Sequence, residues 1–101
     1  MRKRAPVNRM RPIHPGETLR EDYLKPLGLT AHALALRVPA SRVNDIALER
    51  RAVTADTALS PARHFGGDAQ TWINLQAEYD VNTAKRDSGS AINREVASRA
   101  A

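Results

Sequence analysis

The sequence predicts an all-α fold, and three observations carry that expectation. Apolar residues fill 42% of the 101 positions while aromatic ones fill only 4%; with leucine and alanine dominant, small close-packed helices are favoured over a sheet sandwich. The stretch from Leu29 to Arg51, LTAHALALRVPASRVNDIALERR, reads as two short helical segments around a turn. On either side of it, capping and breaking residues stand where further helices would start and stop. The length suits one domain with a modest core.

In chain order, residues 1–11 hold Arg2, Lys3, Arg4, Arg9 and Arg11 and no acid. So little apolar surface cannot offset the entropy of ordering, so a basic flexible arm is expected. It would serve either as a tail along phosphates or in a minor groove, or simply as a soluble end. The first helix belongs to PIHPGETLREDYLKPLG, residues 12–28. Pro15 suits its first turn, Glu17 and Glu21 favour its positive end, and Pro26 with Gly28 stops it. Leu19 and Tyr23 share a stripe with Leu24 at its edge, over which Leu27 and Leu29 could close.

In the second segment of the central stretch, Ser41 is expected to cap. Val43, Ile46 and Ala47 fall on one face there, and Ser41, Arg42, Asn44, Asp45, Leu48 and Glu49 on the other. A short helix with a packed back and a hydrogen-bonding front is what major-groove readers present to DNA. The next helix should begin at Thr54, with Asp56 in its first turn. Pro61 falls inside it, where a proline costs roughly 3 kcal/mol and predicts a kink or two short helices. Gly66-Gly67-Asp68 reads as a turn into a last helix capped by Asp68. Trp72, Leu75, Gln76 and Tyr79 form its stripe, read either as core closure against Leu59 and Phe65 or as a dimer contact. Ser88-Gly89-Ser90 should break that pattern and leave a frayed tail.

IHPGETLREDYLKPLGLT, PASRVNDI, RRAVTADTAL and ARHFG followed by WINLQAEYD, in order over about Ile13 to Asp80, resemble the HigA group of antitoxins, helix-turn-helix proteins of the Xre type. The resemblance implies a compact bundle of about five helices of the lambda-repressor kind. It implies the antidote of a type II toxin–antitoxin pair, which binds a HigB-type ribonuclease toxin and represses its own operon as a dimer. Four departures stand out. Family members usually carry two further residues after Leu34-Ala35; their loss would rotate the following apolar positions by roughly 200° unless the helix is shortened or rebuilt. Leu48 and Glu49 replace a polar residue and a glycine, Ser60-Pro61 replaces Arg-Leu, and Arg37 stands where glycine is frequent.

By position in the motif, Ser41, Arg42 and Asn44 are the candidates for the groove. His32 at the start of the first helix, and Arg50 and Arg51 beyond the second, would reach phosphates. Arginine suits a guanine edge and asparagine an adenine edge; Asp45 could accept from cytosine or pair with Arg42. The net charge of +5 makes polyanions the first partners to consider. The expected domain is residues 12–86, followed by a weakly ordered tail over 87–101. Expected partners are double-stranded operator DNA, a HigB-type toxin and a second copy of the chain. The alternative is a diverged, toxin-binding or vestigial member without specific DNA binding.

Other classes find little support. No nucleophile–base pair, phosphate loop or metal-spaced cluster stands out, so no enzyme, metal or cofactor is expected. His14, His32 and His64 lack the i, i+4 spacing of a helical metal site and read as surface or capping residues. There is no cysteine, no apolar run of the ~20 residues that cross a bilayer, and no apolar core of a signal peptide after the basic start. A cytoplasmic setting is expected.

Overall fold

The computed structural model describes residues 11–34 and 38–99, and their regular elements are all helical. The arm expected over residues 1–11 therefore lies outside the described residues except for Arg11, whose guanidinium holds Glu17 at 2.7 and 3.1 Å. Helix α1 covers residues 15–27 in three continuous parts: α-helical Pro15–Thr18, π-helical Leu19–Leu24 and a closing turn Lys25–Leu27. Pro15 opens it, with His14 as the cap. The N–H of Lys25 reaches back five residues to Arg20, so the ladder is widened just before Pro26, which has no N–H and crowds the carbonyl four residues back. Gly28, at φ 65°, closes the helix: its N–H bonds Lys25 and that of Leu29 bonds Leu24, at 3.1 and 2.8 Å. This is the paired wrap for which glycine is favoured.

A 3-10 segment, Ala31–Leu34, follows. It stands where the first helix of the two-helix unit was expected, and residues 35–37, on which the two-residue shortening and Arg37 fall, lie outside the described set. Helix α2 spans Ala40–Ala47, α3 spans Ala55–Phe65 and α4 spans Ala69–Glu95. The core joins Leu19 and Leu24 of α1, Val38, the α2 back Val43, Ile46 and Ala47, Val53, Ala58 and Ala62 of α3, and Trp72 of α4. Tyr23 packs beside Phe65 and Trp72, with ring centroids 4.7 and 5.5 Å apart.

Several expectations are corrected. Ser41 does not cap α2: the helix starts at Ala40, with extended Pro39 as the boundary residue and no side-chain cap. The Pro39 carbonyl accepts the first two bonds, from Arg42 and Val43. Of the two outcomes expected at Pro61, the split into two short helices does not occur: α3 runs as one helix with Pro61 buried in it. Leu59 does not close on Trp72. The buried face of α3 is Thr57, Ala58, Pro61 and Ala62, which turns Leu59 outward at 61% exposure. Leu27 also points to solvent. Helix α4 passes through Ser88-Gly89-Ser90 without interruption, because one interior glycine costs only about 1 kcal/mol relative to alanine. Its amino-terminal part, with Trp72 and Gln76 buried, packs on the body, so the stripe serves core closure at Trp72.

Other local signals hold. Thr54 and Thr57 cap each other reciprocally at the start of α3, and Asp68 accepts the Gln70 N–H at 3.1 Å.

Candidate nucleic-acid interface

Helix α2 presents two unlike faces. Val43, Ile46 and Ala47 are buried, whereas Ser41 and Asn44 are exposed and Arg42 is half-buried. Among the described residues, the side chains of Ser41, Arg42 and Asn44 engage in no internal hydrogen bond or ion pair; the Arg42–Asp45 pairing weighed from spacing does not form. Their donors and acceptors are left for an external partner, and a guanidinium and a carboxamide can each form paired bonds with a base edge. His32 is exposed on the 3-10 segment, which packs against α2. Arg50 and Arg51 are exposed in the connection to α3.

The carboxyl end of α2 is built differently from what its sequence suggests. Glu49 takes the left-handed conformation, φ 65°, and is the sole non-glycine residue to do so among the described residues. Its N–H bonds the Ile46 carbonyl at 2.9 Å and that of Arg50 bonds Asp45 at 2.8 Å. The wrap for which a glycine is usual is thus completed by a glutamate, at a cost of about 1–2 kcal/mol.

Arg20 of α1 reaches across to this turn. Its Nη1 donates to the Ala47 carbonyl, and its Nη2 donates to Glu49 Oε2 at 3.2 Å. Its Nε donates to Glu21 Oε2 at 2.8 Å, and Lys25 Nζ holds that same oxygen at 2.9 Å. The bond to Glu21 raises the Arg20 pKa against the effect of burial, and Glu49 adds to the rise. Lys25, then Arg20, holds the Glu21 carboxyl below the usual carboxylate range. One turn earlier, a Cβ at Gly16 would stand 1.7 Å from the Ile46 carbonyl oxygen, so only glycine lets α1 lie this close to α2.

The amino end of α1 rests on a buried histidine. His14 Nδ1 accepts the Gly16 N–H at 2.8 Å, and its ring meets Tyr79 of α4 edge-on at 4.9 Å. Burial lowers the His14 pKa, against the pull of the Glu49 and Asp80 carboxylates. Gln76 ties α4 to the α2–α3 connection: its Oε1 accepts the buried Val53 N–H at 2.8 Å, and its Nε2 donates to Asp80 at 2.9 Å. Sequence reading passed over Arg20, Gly16 and the Gln76–Val53 bond, since their partners lie 23 to 30 positions along the chain and helical spacing carries no trace of them.

Among the described residues no three His, Cys, Asp or Glu side chains are placed to hold a metal. No helix there is long and apolar enough to cross a membrane.

No protein-family profile matches the chain. Virulence-associated protein I of Dichelobacter nodosus is 59% identical over 88 residues, 85% of this chain and 82% of that protein. Among solved structures, an addiction module antidote protein of a HigA family from Coxiella burnetii is 43% identical with a TM-score of 0.79, over 87% of this chain and 98% of the other. The Pseudomonas aeruginosa antitoxin HigA, solved with the higBA promoter, is 44% identical with a TM-score of 0.81, over 88% and 99%.

Proposed function

The chain belongs to the HigA family of helix-turn-helix antitoxins, and from that premise we propose that it is the antidote of a type II toxin–antitoxin pair that represses its own operon. The observation that carries the DNA reading is the front of α2, where Ser41, Arg42 and Asn44 stand free of internal partners above a packed back. Arg42 and Asn44 would read base edges with Ser41 beside them, while His32, Arg50 and Arg51 would hold phosphates and set the register. A homodimer would place two copies of α2 in successive major grooves about one helical turn apart. The toxin would be a HigB-type ribonuclease neutralised by direct binding, and the setting cytoplasmic. Neutralising a toxin and occupying an operator are binding functions and need no catalytic group on this chain.

A second reading keeps the toxin and gives up the operator. It is favoured by Leu48, an apolar side chain at 43% exposure at the carboxyl cap of α2, where a DNA-reading unit would offer a polar group. One experiment separates the two. The protein is titrated into a labelled duplex from upstream of its own gene and into a scrambled duplex, across a salt series. Preference for the upstream duplex at physiological salt, reduced in Arg42→Ala with toxin binding unchanged, is expected of the repressor. Equal, weak and salt-sensitive binding to both duplexes would establish the second reading.

A further inference from the structure

The DNA-reading helix ends in a strained turn that its own sequence does not stabilise, and the residue that holds this turn comes from another helix. We infer that Arg20 is a positioning residue for operator recognition: it clamps the carboxyl end of α2 to α1 and neutralises Glu49 on the surface that would approach the phosphates. The inference rests on the DNA-binding reading for its functional half. Its structural half stands on bonds already described.

The Ala47 carbonyl lies in the last turn of α2, where carbonyls have no partner within the helix and the helix dipole is negative. Arg20 donates to it and places a cation there. The second arm of the same guanidinium reaches Glu49, the residue held at positive φ. The planar fork makes both bonds from one side chain, which a lysine, a single point of charge, cannot do. Glu21, itself fixed by Lys25, orients the fork through Nε. Gly16 and Arg20, one turn apart on α1, thus touch α2 at Ile46, Ala47 and Glu49. Two points of attachment one turn apart define an angle as well as a distance. That angle aims Ser41, Arg42 and Asn44 at the other end of a helix only eight residues long. An unpaired Glu49 would also oppose phosphates, whereas the ion pair leaves that surface locally neutral.

The test compares wild type, Arg20→Ala, Arg20→Lys and the double variant Arg20→Ala/Glu49→Gly. Two readouts are taken: the ratio of affinities for upstream and scrambled duplexes, and amide hydrogen exchange at Glu49 and Arg50 in the free protein. In Arg20→Ala, protection at Glu49 and Arg50 should fall while that in α3 is kept. The affinity ratio should fall by about tenfold, the size of one lost paired base contact. Lysine should not restore the ratio. Glycine at 49 should restore part of it, because it closes the turn without a tether and removes the acid. If Arg20→Ala does not fold, a double variant that folds and regains preference supports the clamp. A double variant that stays unfolded overturns it, since Arg20 would then be a general support of the fold. Wild-type exchange and affinity ratio in a folded Arg20→Ala overturn it as well. Should wild type itself show no preference for the upstream duplex, the DNA reading fails, and exchange at Glu49 and Arg50 alone decides the clamp.

Discussion

His14 joins two helices through one imidazole, capping α1 at Gly16 and touching Tyr79 of α4, while Gly16 in turn sits against Ile46 of α2. The cap requires a neutral ring, because Nδ1 must offer a lone pair to the Gly16 N–H. Burial lowers the His14 pKa below its ordinary value of 6.5. The unfolded chain therefore takes up a proton at a pH where the folded one does not. The stability contributed is fully present above about 6.5 and is lost as pH falls from there toward the folded-state value. The urea midpoint should decline between about pH 7 and pH 5. His14→Asn, which retains a capping acceptor, should flatten much of that decline. A decline of equal slope in the variant would assign the effect to other groups.

At the scale of elements, α2 is fastened at both its ends by unlike means. Its start relies on the Pro39 carbonyl without a side-chain cap, and its carboxyl end on Arg20. Helix α3 carries the largest local misfit. Pro61 lacks the N–H that would bond the Thr57 carbonyl, and with Leu19, Val43, Ile46, Val53, Thr57 and Trp72 it lines a small gap in the core. Leucine there would restore the ladder bond and add apolar volume. Pro61→Leu is expected to raise Tm by several degrees, since each 1 kcal/mol moves the Tm of a domain this size by roughly 4–8 °C. A lower Tm would mean that the proline ring is the better fit to its neighbours.

For the molecule as a whole, α4 sets the shape. Its 27 residues extend about 40 Å at 1.5 Å per residue, and the longest dimension is 50 Å against 29 and 22 Å. Gln76 is its last fully buried residue, and Tyr79 and Thr83 are partly covered; Val81, Ile92 and Val96 are all more than half exposed. A chain ending after Arg86 should therefore keep its thermal stability within about 0.5 kcal/mol, as surface changes generally do. That outcome would support a domain boundary near residue 86, although the helix itself crosses it. A large loss of Tm at low concentration would place residues 87–101 within the folded unit.

The sequence by itself determined the helices whose signals lie within one turn: the Pro15 start, the Gly28 stop, the Thr54 and Asp68 caps, and the two faces of α2. Such features depend on neighbours three or four positions away, so periodicity and capping chemistry suffice to read them, and the ordered motif blocks supplied the family. The tertiary structure alone decided the rest. Arg20 finds Ala47 and Glu49, Gly16 meets Ile46, Gln76 takes the Val53 N–H, and Leu59 turns outward because Thr57, Ala58, Pro61 and Ala62 claim the buried face. These pairings depend on which helix faces meet and at what angle. No local pattern encodes that, because the energy that selects it comes from packing side chains distant in the chain into one core.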